Sequence, residues 1–250
     1  MKDYQQYCPI ARAADILAER WTPLIIRNLF LGCETFTEIR DGVPGIPKSL
    51  LSQRLQKLTH EAVLETRPAA SGRGSTYHLT DMGRELIPVI FALGEWGAKW
   101  LEVGPEHLDT RVVLWSMARL IDRRQMPEPR IVIRFDVSDA KPERQYWLVI
   151  EPETVEVCFR DPGFEERLVV TTTMDWLARW HMGHISLAEA QQRRVIDVAG
   201  PPGLVRAMAT WGLSPFAHVK PQVRVRPAEP QAPPMATRAA WPVESVAVAE

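Results

Sequence analysis

Between Lys48 and Thr59 the chain sets Ser49, Ser52, Gln53 and Gln56, all able to donate and accept hydrogen bonds, on one side of a helical pattern. With about 3.6 residues per turn, Leu51, Leu55 and Leu58 fall within roughly 40° of one another and form a narrow apolar stripe on the other side. Lys48 and Arg54 flank the polar face, which carries no carboxylate. Hydroxyls and amides suit base edges, cations suit phosphate, and an acid there would repel the backbone of a nucleic acid. Farther along, the flexible run Ala69-Ala-Ser71-Gly-Arg73-Gly-Ser75 carries one cation, Arg73, placed to enter a minor groove.

Other chemistries find less support. No nucleophile–base pair, acidic pair of catalytic spacing or glycine-rich phosphate loop stands out, so an enzyme is not expected and no cofactor is implied. His181 and His184 lie three apart, but Gly183 intervenes and no third ligand is near, so a metal site is not expected. The three cysteines, Cys8, Cys33 and Cys158, are too few and too scattered for a disulfide framework. Cys8, at the start of the first helical pattern, is a candidate redox thiol, to be weighed against an ordinary packed one.

The elements that position the polar face can be read from spacing. Pro9 to Ala18 and Trp21 to Leu31 are helical patterns, and Thr35 to Asp41 is a short one before the turn Gly42–Pro47. Val63–Pro68 and Thr76–Leu79 read as two strands joined by the Arg73 tip, a hairpin beside the polar helix. Pro47 suits a first helical turn. Thr80 to Leu101 reads as one long apolar helix, with Leu86, Ile90, Leu93 and Gly97 on one face and Trp96 and Trp100 nearby. Helix, turn, helix and hairpin in that order point to a DNA-reading unit.

Cys8-Pro-Ile, Ala18-Glu-Arg-Trp-Thr-Pro-Leu-Ile-Ile-Arg27, Phe36-Thr-Glu-Ile, Pro44-Gly-Ile, Leu51-Ser-Gln-Arg-Leu55 and Tyr77-His-Leu-Thr-Asp-Met-Gly83 follow a known pattern. Over residues 8–101 the chain resembles the HxlR-type winged helix-turn-helix regulators. The resemblance implies a dimer that reads a near-palindromic double-stranded DNA operator. Some relatives with a cysteine at the position of Cys8 sense oxidants or electrophiles. Pro47 departs from the pattern, which usually places a serine or similar cap before the helix.

Composition bounds the rest. Two hundred and fifty residues exceed the usual single domain, and 46% hydrophobic with 24% charged residues is ordinary for a globular chain. A net charge of −1 argues against a general polyanion binder, yet Arg40, Lys48, Arg54, Lys57, Arg67 and Arg73 outweigh Asp41, Glu61 and Glu65 in the DNA-reading stretch. No signal-peptide core and no membrane-spanning apolar run is read, so the expected compartment is the cytoplasm, without a membrane partner.

After the linker 103–108 the pattern changes. Arg111–Ile121 reads as a helix, and Ile131–Phe135 as a half-buried strand. Tyr146–Ile150 with Val155–Phe159 makes a hairpin, and Leu168–Thr172 a further strand. Then come helices at Thr173–Trp180 and from Ser186, a strand at Val195–Val198 and a closing helix at Pro201–Trp211. Asp161-Pro-Gly-Phe164, Val169-Val-Thr-Thr172, the segment around Met182-Gly183 and Gly200-Pro to Trp211 resemble the sterol-carrier-protein type-2 fold. The resemblance implies a sheet covered by helices around an apolar tunnel, with Phe135, Trp147, Val149, Val157, Trp176, Trp180 and Trp211 as candidate lining.

The expected fold is therefore α+β: a winged helix-turn-helix domain at 1–102, a sterol-carrier-like domain at 109–217, and a disordered Pro/Ala-rich tail at 218–250. The expected function is a cytoplasmic homodimeric transcription regulator controlled by an apolar small-molecule effector. A lipid carrier or protein-interaction module bearing a DNA-binding head, and thiol-based redox sensing through Cys8, are the alternatives.

Overall fold

A computed structural model describes residues 4–70, 72 and 74–222. Arg73 and most of the expected tail, 223–250, lie outside the described residues. The buried apolar side chains fall into two main clusters, one before residue 80 and one after residue 110.

The first cluster is built by α1 (Pro9–Leu17), α2 (Thr22–Phe30), α3 (Phe36–Asp41), α4 (Lys48–His60) and the hairpin β1 (Leu64–Pro68)–β2 (Ser75–Leu79). Ile25, Ile26 and Leu29 of α2 pack against Ile39 of α3 and the Leu51–Leu55–Leu58 stripe of α4, all buried. At the start of α3, the Thr35 hydroxyl accepts from the Glu38 backbone N–H at 3.2 Å while the Glu38 carboxylate accepts from Thr35 N–H at 2.9 Å, a reciprocal cap. Asn28, fully buried, donates its amide to the Ile39 carbonyl at 2.8 Å and so ties α2 to α3.

Pro47 stands at the N-cap of α4 rather than inside its first turn, with extended backbone (φ −62°, ψ 139°) and no side-chain cap. The long helix expected from Thr80 to Leu101 is broken at Leu86 into α5 (Asp81–Glu85) and α6 (Ile87–Trp100). Pro88 is the reason: it has no N–H to give and its ring crowds the preceding turn.

The second cluster lies under one face of a five-stranded sheet of order β5-β4-β3-β6-β7. The strands are β3 (Ile131–Val137), β4 (Gln145–Ile150), β5 (Val155–Cys158), β6 (Leu168–Thr172) and β7 (Asp197–Ala199). β3 runs parallel to β6, and every other pairing is antiparallel. Helices α7 (Thr110–Leu120), α8 (Met174–His181), α9 (Leu187–Gln192) and α10 (Pro202–Met208) contribute apolar side chains to the cluster with Ile131, Ile133 and Phe135. β3, expected to be half-buried, is the central strand: Val132 on its other face is buried with Trp147 and Val149.

One helix serves both clusters. Leu114, Met117 and Ala118 of α7 enter the second, while Trp115 packs against the first. Arg119 of the same helix reaches Glu38 of α3 at 3.2 Å. Residues 218–222, assigned to the tail by sequence, turn back onto α6, where Gln222 N–H donates to the Lys99 carbonyl at 2.8 Å. Among the described residues no helix is long and apolar enough to cross a membrane.

A Cβ at Gly42 would collide with the Trp115 ring and the Asn28 amide. Gly42→Ala is expected to cost about 1–3 kcal/mol in chemical denaturation. Much of that loss should return in the Gly42→Ala/Trp115→Leu double variant, and a neutral Gly42→Ala would mean that α7 does not press on this turn.

Candidate nucleic-acid interface

The α3–turn–α4 unit and the hairpin present one continuous surface. α3 and α4 are joined by Gly42–Pro47, where Gly45 takes the left-handed backbone (φ 87°) that glycine tolerates best. Burial of Leu51 (0%), Leu55 (1%) and Leu58 (2%) fixes the roll of α4. The consequence is that Lys48, Ser49, Ser52, Gln53 and Gln56 are all exposed.

Arg54 is placed differently. Its guanidinium pairs with the Glu19 carboxylate and donates to the Arg20 carbonyl at 3.4 Å, leaving 20% of the side chain exposed. Lys57 joins the same acid at 2.7 Å and also donates to the Asp15 carbonyl at 2.9 Å. Glu19 is only 5% exposed, so the pair of cations neutralises a buried carboxylate and anchors α4 to the end of α1. Arg54, expected to face phosphate, instead has its guanidinium engaged by Glu19 and the Arg20 carbonyl within the described residues. Lys48 makes no ion pair among the described residues, and Arg67 of the hairpin is held by Glu65.

The hairpin closes the surface on one side. Leu64 pairs with Leu79 and Pro68 with Ser75, so the two strands stay in register over their whole described length. Tyr77 N–H donates to the Glu34 carbonyl at 2.8 Å, and Thr35 bridges Thr76, which locks the hairpin to the segment before α3. A recess of about 400 Å³ runs between helix and hairpin, lined by Ser52, Gln56, Thr59, His60, Thr66 and Tyr77. Sequence reasoning picked only Ser52 and Gln56 of this set. The opposition of Thr66 and Tyr77 across the hairpin was the available signal for two of the others.

Glu38 links this surface to α7. Burial alone would raise its pKa, but the N–H groups of Thr35 and Glu34, the Thr35 hydroxyl and Arg119 outweigh that and hold the carboxyl below its usual 4.5. Cys33, fully buried, is pushed up to about 11, first by burial, which keeps it a thiol. Cys8 is the half-buried N-cap of α1 and makes no side-chain cap hydrogen bond.

The remaining candidates scatter. Phe135, Trp180 and Trp211 are packed in the second cluster at 0%, 1% and 7% exposure, with Val157 and Trp176 at its margin. Trp147 and Val149 sit on the opposite face of the sheet, where Trp147 Nε1 donates to Glu166 at 2.9 Å. The structure therefore does not bring these seven residues around one cavity. His181 Nδ1 donates to the Gly212 carbonyl at 2.8 Å, and burial lowers its pKa against the raising effect of that bond. Among the described residues no group of three or more His, Cys, Asp or Glu is arranged to hold a metal ion.

Comparison with known proteins adds sequence relationship to this geometry. The profile of the family described as HxlR-like helix-turn-helix matches residues 16–105. The uncharacterised HTH-type transcriptional regulator YvaP of Bacillus subtilis is 35% identical over 107 residues, covering 42% of this chain and 96% of YvaP. The uncharacterised HTH-type transcriptional regulator Rv3095 of Mycobacterium tuberculosis is 33% identical over 134 residues, covering 48% of this chain and 84% of Rv3095. The reduced form of the transcriptional regulator YodB from B. subtilis is 30% identical, covers 40% of this chain and 99% of YodB, and superposes with a TM-score of 0.35.

Two outcomes test the local geometry. Arg54→Ala should lower the unfolding free energy by about 1–3 kcal/mol, because Glu19 keeps only Lys57, whereas Gln53→Ala should leave it unchanged. For Glu38, whose folded pKa is depressed, the stabilisation is complete above pH 4.5 and is lost as pH falls through the lower folded value. The stability difference between the natural chain and Glu38→Gln should accordingly be present near neutrality and vanish in acid. A difference independent of pH would refute the assignment.

Proposed function

The chain belongs to the HxlR-like helix-turn-helix family, and we propose from that premise that it is a sequence-specific, dimeric DNA-binding transcription regulator. The observation that carries the reading is the exposed, carboxylate-free face of α4 beside the hairpin. Ser49, Ser52, Gln53 and Gln56 face base edges in the major groove, Lys48 meets phosphate, and Arg73 at the hairpin tip reaches the minor groove. Two such helices related by a two-fold axis read half-sites about 34 Å apart on a near-palindromic operator.

Support for the dimer comes from α6. Val89, Leu93, Trp96 and Trp100 follow one another at helical spacing and are 37–54% exposed, and Tyr7 and Ile10 of the N-terminal region are more exposed still. An apolar stripe of this kind on a helix following the hairpin suits a self-complementary contact.

Domains are assigned as 1–102 for DNA binding and dimerisation and 109–217 for control. The second assignment is a sterol-carrier-like domain, supported by the mixed five-stranded sheet with helices packed on one face. The close burial of Phe135, Trp180 and Trp211 favours a filled module over a lipid carrier for that face. An apolar small molecule controls the regulator.

The test is enrichment of binding sequences from a random duplex pool, followed by anisotropy titration. The Ser52→Ala/Gln53→Ala/Gln56→Ala variant should lose specific affinity by at least tenfold, since each good base contact contributes about 1–3 kcal/mol, with unchanged melting. Retained specificity would move the reading surface elsewhere. In sedimentation, Leu93→Glu/Trp96→Glu should convert dimer to monomer, and a persisting dimer would exclude α6 as the contact.

A further inference from the structure

Where α2, α6 and α7 meet the segment 214–216 there is a recess of about 420 Å³ that the sequence did not signal. Its volume falls within the roughly 300–1,000 Å³ typical of small-molecule sites. Phe30, Ile90, Phe91, Trp115 and Phe216 give it apolar walls. Phe91 stands edge-on to Phe30 with ring centroids 5.4 Å apart, and lies 5.7 Å from the Phe216 ring.

Arg27 is the one Lys or Arg among the residues lining this apolar space, which also include His181, and no carboxylate residue lines it. The Arg27 guanidinium donates to Asn28 Oδ1 at 3.0 and 2.8 Å and to the Gly42 carbonyl at 2.8 Å, both neutral acceptors. It lies 5.6 Å from the Trp115 ring centroid. Among the described residues it forms no salt bridge, and its Nη1 group makes no hydrogen bond. A desolvated guanidinium with spare donors and no counter-ion favours an anion, which an apolar pocket admits only on an apolar body.

We propose that this recess binds a small apolar acid, its hydrocarbon or aromatic body among Phe30, Phe91, Trp115 and Phe216 and its carboxylate on Arg27. The inference rests on the regulator reading for its consequence alone. Trp115 forms a wall of the recess and also packs on Gly42, while Arg119 of the same helix holds Glu38. A ligand that shifts α7 therefore shifts α3 and the helix it positions, and ligand and operator alter each other's affinity equally.

Decanoate and 1-decanol, titrated calorimetrically into the full chain without DNA, test the site. Decanoate should bind and decanol at least about tenfold more weakly, because only the acid gains the charge-assisted bond. In Arg27→Gln the two should bind alike. Ser116→Phe, which fills the recess from α7, should abolish decanoate binding with a native circular dichroism spectrum, and Trp147→Ala on the far face of the sheet should leave it unchanged. No binding of either probe at millimolar concentration, equal binding of both to the natural chain, or full affinity in folded Ser116→Phe would overturn the proposal. So would decanoate affinity that disappears as the chain self-associates, since a second copy would then fill the recess. Loss of operator recognition with decanoate binding intact would sink the regulator reading and leave the site standing.

Discussion

The burial of both sides of α7 is the constraint on which the arrangement depends. Eleven residues from Thr110 to Leu120 must satisfy the helices under the sheet with Leu114, Met117 and Ala118 and the helix-turn-helix with Trp115 and Arg119. The contact with Gly42 is possible because that position lacks a Cβ, so the indole reaches the turn between α3 and α4. Packed interiors transmit small displacements rather than absorb them. A movement of α7 is thus felt by the polar helix through Gly42 and through the Glu38–Arg119 pair.

The orientation of α4 has two independent causes. Its leucine stripe is drawn into the first cluster by apolar burial, which sets the roll but tolerates sliding along the axis. The buried Glu19 carboxylate removes that freedom, because it must be met by Arg54 and Lys57 at fixed distances. Together they hold a hydroxyl- and amide-bearing face outward. Two of the cations in the basic stretch are thereby engaged in holding the fold.

The two faces of the five-stranded sheet differ in kind. On the helix-covered side large side chains such as Trp180 and Phe135 are almost fully buried. On the other side Val132, Trp147 and Val149 form a small patch, with Arg134 and Trp147 both bound to Glu166. A further recess lies where α7 meets α2 and α6, beside Arg27, which forms no salt bridge among the described residues.

Periodicity and motif were sufficient for the helix-turn-helix and hairpin. A leucine stripe at 3.6-residue spacing and the Gly42–Pro47 turn are local signals, and local hydrogen bonding and burial enforce them. The same local logic marks Ser49, Ser52, Gln53 and Gln56 as the face opposite the leucines, and the structure leaves them exposed. Pro88 was equally legible, but an apolar run hid the break it imposes. What the chain order could not carry is partnership between distant residues. That Arg54 turns to Glu19, that β3 is a central strand, and that Arg27 borders an unfilled apolar space all depend on which elements come to lie side by side. Such choices are made by packing across long stretches of chain, where the position of one side chain is set by residues that have no fixed spacing from it in sequence.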